Sequence, residues 1–252
     1  MNLRIKSEWR LWLVALSFFT RLPVQVTDFK EADLNHAAKY FPLVGILVGL
    51  IAAAIYGLAI LVWPLELAVL ASMVATIWLT GAFHEDGLAD AADGLGGGWE
   101  KQQVLTIMQD SRLGSFGAIA LFLVLLTKFE ALSHTSAPLL PGIMLAGHAL
   151  SRFAAVLVIF TQSYVRASGK SKPLASQLTR GEMALAGLFG LAPLALLGYK
   201  VLLAMLPVAL IWFWFSNKLK KRLGGYTGDC LGAMQQLTEV AFYLGLLAWS
   251  IK

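Results

Sequence analysis

Lys39-Tyr-Phe-Pro42-Leu-Val-Gly45-Ile-Leu-Val-Gly49-Leu-Ile-Ala-Ala-Ala-Ile-Tyr56-Gly-Leu-Ala-Ile-Leu-Val-Trp63 decides the fold class, because no charged residue follows Lys39 until Glu66. A helix needs about 20 apolar residues to cross the hydrocarbon of a bilayer. This run supplies them, and Pro42 suits its first turn. Comparable runs extend from about Leu67 to Phe83, Gly114 to Leu132, Leu140 to Phe160, Met183 to Leu197, Val201 to Phe215 and onward from Leu231. Inside a bilayer the backbone has no water to bond, so such runs are helices. Hydrophobic residues make up 58% of the chain and 8 are Trp, more than a water-soluble globule can hide. The expectation is an all-α polytopic membrane bundle of about seven transmembrane helices, with residues 1–252 forming a single membrane-embedded catalytic domain. Pro193 and Pro207 are expected to kink their spans.

The N-terminal segment reads differently. Arg4, Lys6 and Arg10 precede the apolar Leu11 to Phe19, as in a signal peptide, yet no small-x-small cleavage site follows. Thr20-Arg21-Leu22-Pro23 closes the run too early for a full span, which predicts an interfacial or half-inserted helix. A polar connector with Asp28, Lys30, Glu31, Asp33 and His36 follows. Cys230 is the single cysteine, so there is no internal disulfide framework, and its expected role is packing. The net charge of +5 is modest and no basic-aromatic stripe accompanies it. Lipid is therefore the expected macroscopic partner and nucleic acid is not.

Against this apolar background, His84-Glu-Asp86-Gly-Leu-Ala-Asp90-Ala-Ala-Asp93 gathers five ionisable groups within ten residues. On a helix, Asp86 to Asp90 is an i, i+4 step and Asp90 to Asp93 an i, i+3 step, so the three carboxylates share a face and Glu85 points elsewhere. Like charges on one face repel, more strongly as the dielectric falls, and the arrangement wants a counter-cation. Ligands that are all oxygen favour a hard ion, Mg²⁺ before Ca²⁺ or Mn²⁺. Gly87, Gly94 and Gly96 to Gly98 would let a bulky ligand approach the backbone. The plainer alternative is an acidic, solvated cap on a membrane helix.

Further ionisable residues stand at span ends or within spans. Lys39, at a water boundary, is either a snorkelling anchor or a phosphate contact. Asp110 and Arg112 are either a surface pair or a fourth carboxylate beside an anion-binding guanidinium. Lys128, His148, Arg152 and Glu239 fall inside spans, where charges are rarely idle. His148 and Arg152, four apart, share a face and could instead bond neighbouring helices. Tyr164, Arg166, Gly169, Lys170, Lys172 and Arg180 form a basic loop that sets topology or meets phosphates. Gly224-Gly225-Tyr226-Thr227-Gly228-Asp229 offers backbone N–H groups to an anion and a carboxylate to a metal. Asp229 is alternatively a helix N-cap.

Charge asymmetry sets the sidedness. The 162–182 and 216–229 loops hold four Lys or Arg each, while the connectors at Pro64, Ser133 to Pro138 and Gly198 to Lys200 hold one among them. With seven spans, the positive-inside rule puts the N-terminus and every candidate motif in the cytoplasm.

Clustered carboxylates, glycine-rich anion sites and basic side chains at one membrane face suit metal-dependent displacement at a phosphate, with a nucleoside monophosphate leaving. An ion-coupled transporter is the reading from another class. Against it, the aspartates lie at a helix end and no paired broken helices in two similar halves are visible.

Several motifs in this order carry a family resemblance: Phe19-Thr-Arg21-Leu-Pro23, Phe41-Pro42-Leu-Val-Gly45, His84-x-Asp86-Gly-Leu-Ala-Asp90-x-x-Asp93-Gly, Met108-x-Asp110-Ser-Arg112-x-Gly114 and Gly225-x-Thr227-Gly228-Asp229-x-Leu-Gly232. Over nearly its whole length the chain resembles the cobalamin synthases, or adenosylcobinamide-GDP ribazoletransferases. Ala82, where Gly is expected, and Glu85, where an apolar residue is expected, are departures. The resemblance implies a Mg²⁺-dependent enzyme of a bacterial inner membrane, facing the cytoplasm. It would join a corrinoid, adenosylcobinamide-GDP, to α-ribazole or its 5′-phosphate and release GMP. The runner-up is a CDP-alcohol phosphotransferase, whose motif Asp90-x-x-Asp93-Gly94 echoes, although Gly97 and Gly98 stand where Ala-Arg should follow. On the favoured reading Asp86, Asp90 and Asp93 are metal ligands, with Asp229 or Asp110 completing the site. His84 is a general base or an orienting group. Lys39, Arg112, Arg152, Arg166, Gly225, Thr227 and Gly228 are expected at the substrates. The sequence is compatible with a homo-oligomer.

Overall fold

The computed structural model of the chain describes residues 3–26, 30–166, 178–199 and 201–250. Asp28, Gly169, Lys170, Lys172 and Lys200, named above, lie outside these residues. The described chain is a bundle of helices in the order α1 (Leu3–Phe19), α2 (Glu31–Ala37), α3 (Phe41–Ala59), α4 (Leu65–Thr80), α5 (Phe83–Gly97), α6 (Lys101–Ile107), α7 (Ser115–Ser133), α8 (Leu140–Thr161), α9 (Arg180–Leu191), α10 (Val201–Leu223) and α11 (Gly228–Ser250). A parallel bridge between Tyr164 and Tyr226 is its one extended pairing among the described residues.

Five helical stretches of the described chain are long and apolar enough to cross a membrane: Asp33–Ala59, Ser115–Ser133, Ala137–Thr161, Arg180–Leu197 and Val201–Leu223. A sixth arises if α4 and α5, bent 85° at their junction, count as one span. The expected count of seven differs at two places. The run expected as a span to Phe83 ends at Thr80 and turns there. The last helix, α11, is long but carries Gln235, Gln236, Thr238 and Glu239, all buried. It packs among α5, α7, α8 and α10. A helix shielded from lipid has no need of an apolar surface all round.

The lipid-facing sides are visible as exposed apolar rows, Leu70, Val74 and Trp78 on α4, Ile119, Phe122, Leu123 and Leu126 on α7, and Leu203, Leu206, Leu210 and Phe213 on α10. Such patches would be a liability in water and are what a bilayer requires. Between the tightest pair, α3 and α8, Gly45 and Gly49 bring the backbone of α3 against His148 and Leu145. Pro193 opens a 3-10 turn, Ala192–Leu197, after α9, while Pro207 lies inside α10 beside Gly245 of α11. The N-terminal helix α1 buries Leu11, Val14, Ala15, Leu16 and Phe19 and exposes Trp9. It is not among the spanning stretches, in keeping with a partly inserted helix. The polar connector after it contains a helix that composition did not announce, α2, which Arg10 ties to α1 through Asp33 at 2.9 Å.

Candidate active site

The site is built on the corner between α4 and α5. Gly81 and Ala82 both adopt left-handed backbone, with φ of 64° and 56°, and Arg21 donates its backbone N–H to the Leu79 carbonyl at 2.7 Å. Helix α5 leaves this corner with Asp86 exposed and Asp90 and Asp93 half-buried on one face, as the spacing predicted. His84, Leu88, Ala91 and Leu95 are buried on the other. His84 precedes Asp86 by two residues, about 200° around a helix. It stacks on Phe19 at 5.6 Å and 12° and so faces the bundle interior, away from the carboxylate row.

The three aspartates do not share one environment. Asp93 accepts the backbone N–H groups of Gly114 and Gly117, each at 2.8 Å, and so caps the first turn of α7 from another helix. Those positions are glycine because a side chain at either would collide with the Asp93 carboxylate. Asp86 and Asp90 accept no hydrogen bond from any described residue, and Asp90 lies within electrostatic range of Asp229, Asp86, Asp93 and Arg166. Asp229 arrives through a close helix crossing. A Cβ at Gly87 would stand 3.0 Å from the Asp229 carbonyl, and one at Gly232 would stand 3.1 Å from that of His84. A side chain at either position would push α5 and α11 apart by a few tenths of an ångström, so glycine allows the close approach.

The turn before α11 has its own logic. Thr227 is the N-cap, its hydroxyl accepting the Cys230 N–H at 3.3 Å. Asp229 is therefore released from capping, and its carboxylate accepts Arg166 Nη2 at 2.6 Å. Arg166 reaches it because Tyr226 N–H donates to the Ser163 carbonyl and Val165 N–H to the Tyr226 carbonyl, both at 3.0 Å, stitching the 163–166 segment to the turn. Gly225 is where it is because Ser163's carbonyl lies against it. Gly225 and Thr227, expected at the substrates, thus hold the turn together, and Gly228 opens α11 beside Asp229.

The remaining expected residues are dispersed. Asp110 is bound by Arg112 Nε at 3.0 Å and Nη2 at 2.5 Å, and that guanidinium holds its carboxyl at about 2. This is an exposed surface pair, so Asp110 is not open to a metal while the pair persists. Lys39 is buried, 2.7 Å from Glu8 and 3.7 Å from Glu182, and joins α1 to α9. Arg152 is buried in α8 with Nη1 donating to the His148 carbonyl at 3.0 Å.

A polar network inside the bundle was not foreseen as a unit. Glu239 of α11 pairs with Lys128 of α7 at 2.5 Å, stands 3.3 Å from His148 Nδ1, and accepts from Tyr243 at 3.0 Å and from Gln235. Gln235 also donates to Ser151, and Gln236 donates to Glu85 at 2.9 Å, tying α5 to α11. The signal was present, since each ionisable member stood out within an apolar run. Which residues paired was not readable.

Among the described residues no three His, Cys, Asp or Glu side chains close into a metal cage. Asp86 and Asp90 are open donors within electrostatic range of Asp229, whose carboxylate is held by Arg166 through one oxygen. Unpartnered carboxylates one turn apart, facing a third, fit a hard divalent ion that keeps waters and takes phosphate oxygens. The N-terminus of α11 begins beside Asp229 and favours anions.

The cobalamin-5-phosphate synthase family description matches residues 11–247. An adenosylcobinamide-GDP ribazoletransferase of Ralstonia pickettii is 48% identical over 97% of this chain and 98% of its own. Proteins of that name from Shewanella amazonensis and Vibrio cholerae are 46% and 44% identical, over 97% of this chain and 98% and 96% of theirs. No solved structure matches the chain.

Proposed function

This chain belongs to the cobalamin-5-phosphate synthase family, and from that premise we propose that it joins adenosylcobinamide-GDP to α-ribazole or its 5′-phosphate, releasing GMP. The observation that supports this reading most directly is the meeting of Asp86 and Asp90 with Asp229 and Arg166 at the Gly87–Gly232 crossing. Asp86, Asp90 and Asp229 would hold Mg²⁺, which when bound neutralises diphosphate charge and eases departure of the nucleotide. Arg166 is anchored on Asp229 and adds a positive donor where phosphate oxygens would lie. The N-terminus of α11 adds to the same field. Asp93 fixes α7 against α5 and would serve the site by placement. Asp86 or Asp90 would take the proton of the attacking ribose hydroxyl, since His84 faces the interior.

The membrane character of the chain, joined to the lysine and arginine distribution, supports placing this face in the cytoplasm of a bacterial inner membrane. On the transporter reading, carboxylates with Lys128 or Arg152 would form an ion path, and here Lys128 is paired with Glu239 at 2.5 Å while Arg152 donates to the His148 carbonyl at 3.0 Å. The test is GMP release by purified protein in lipid with adenosylcobinamide-GDP, α-ribazole and Mg²⁺. Release that requires all three supports the proposal, and hydrolysis or transfer independent of α-ribazole overturns it.

A further inference from the structure

Helices α7 and α10 are both long and apolar enough to span the membrane, and both pack on α11 without packing extensively on each other. The gap between them is a groove of about 410 Å³, floored by small residues of α5 and α11 such as Ala91, Gly96 and Ala233. Its rims are the exposed Phe116 of α7 and Trp214 of α10. Every residue that lines it is apolar or Gly except Lys218. Along α7 the groove runs from Phe116 to Val124, about 12 Å of helix. That is close to the hydrocarbon depth of one leaflet, about half of the roughly 30 Å core. An apolar slot of this depth, opening sideways between two spans, suits an acyl chain.

The polar end of the groove has the opposite character. A second hollow, of about 450 Å³, meets the first at their shared residues Trp214 and Lys218 and adds Asn217, Lys221 and Arg222. These five positions follow the i, i+3, i+4, i+7, i+8 pattern and so form one face of α10. Lys218 Nζ lies over the Trp214 ring, 5.4 Å from its centroid, which holds the ammonium where apolar groove meets polar hollow. A Trp at that level marks a membrane–water boundary. No acidic residue stands between Glu182 and Asp229, and among the described residues neither Lys218 nor Lys221 forms an ion pair. A positive stripe left uncompensated at the mouth of an acyl-chain slot is complementary to an anionic headgroup.

We infer that this joined groove binds one anionic phospholipid, with an acyl chain between α7 and α10 and its phosphate at Lys218 and Lys221. Ala91 and Leu95, on the side of α5 away from Asp86 and Asp90, line the groove. The lipid therefore braces α5 against α7 and α10 from behind and does not compete with substrate at the carboxylates.

The experiment incubates the full-length protein, in mild detergent, with dioleoylphosphatidylglycerol or dioleoylphosphatidylcholine and counts bound lipid by native mass spectrometry. One phosphatidylglycerol should be retained in preference to phosphatidylcholine. Lys218→Gln and Lys221→Gln should each weaken its binding roughly fivefold, the scale of one basic residue at a charged lipid. Ala120→Phe, which fills the slot, should remove both lipids, whereas Leu123→Phe at an exposed position of α7 should remove neither. The two lysine variants, on the surface of α10, carry the test even if Ala120→Phe does not fold. Equal retention of the two lipids by the wild type, or an unaltered preference in the combined lysine variant, would overturn the inference. Three other results would overturn it by naming another occupant. Release of the lipid by glycerol 3-phosphate alone would leave only a site for free anions. Release by adenosylcobinamide-GDP would give the groove to a substrate, and a dimer that forms on lipid removal and that Ala120→Phe dissolves would give it to a second copy of the chain.

Discussion

Two acidic regions of this chain, one around Glu239 of α11 and one on the outer face of α5, have opposite fates. Glu239 itself is answered from within, by Lys128, His148, Tyr243 and Gln235, and all of these are buried. On the outer face of α5, Asp86 and Asp90 accept no hydrogen bond or ion pair from any described residue, although Arg166 lies within electrostatic range of Asp90 and Glu85 beside them is bound by Gln236. An acidic residue inside a membrane protein is costly unless paired. The paired cluster accordingly reads as architecture that joins α7, α8 and α11. The unpaired face reads as a place that a ligand completes.

The contrast can be broken most severely at its buried half. Glu239→Leu leaves Lys128 uncompensated and is expected to cost about 3–5 kcal/mol of stability. Lys128→Met combined with Glu239→Leu should recover most of that in thermal unfolding in detergent. If the single variant melts like wild type, the network is not structural.

Next in size is the open half. Asp86→Asn or Asp90→Asn should lower GMP release on the order of 100-fold, the scale on which metal-site partners matter, while the melting temperature holds or rises as repulsion is relieved. Near-wild-type rates at limiting Mg²⁺ in both variants would remove the metal assignment. Asp93 then sharpens the border between the two regions. As the cap of α7 it should cost about 1–2 kcal/mol on replacement by Ala, without shifting the Mg²⁺ concentration needed for half-maximal rate. A shift as large as that of Asp90→Asn would return Asp93 to the open face.

The smallest effect belongs to the corner that aims α5. Ala82 holds φ of 56°, a conformation that strains a residue with a Cβ by about 1 kcal/mol or more. Ala82→Gly should therefore raise stability by roughly that amount with little change in turnover, read by melting beside GMP release. A destabilised variant would mean that the Ala82 methyl is needed for packing.

Much of this was legible in the residue order. The apolar runs announced a helical membrane protein, and the 86, 90, 93 spacing announced three carboxylates on one face, because both depend on periodicity within a single helix. The corner at Gly81 was not read from the spacing, although the resemblance expects Gly at Ala82, the residue type that a left-handed conformation favours. The roles of Lys39 and Asp110 stayed ambiguous for a different reason. A cation or carboxylate at a helix end reads alike whether its partner is Glu8, Arg112 or a phosphate.

By itself the sequence determined the class of structure, the membrane, the register of the aspartates and the residues able to carry charge. Tertiary structure decided which of those charges remain open. Asp93 and Asp90 are three residues apart on one helix, and only the docking of α7 through Gly114 and Gly117 separates a helix cap from an available ligand. Asp229 joins Asp86 and Asp90 through the close approach of Gly87 and Gly232. Pairing depends on distance in space, and contacts between residues more than a hundred positions apart have no period that a single chain can display.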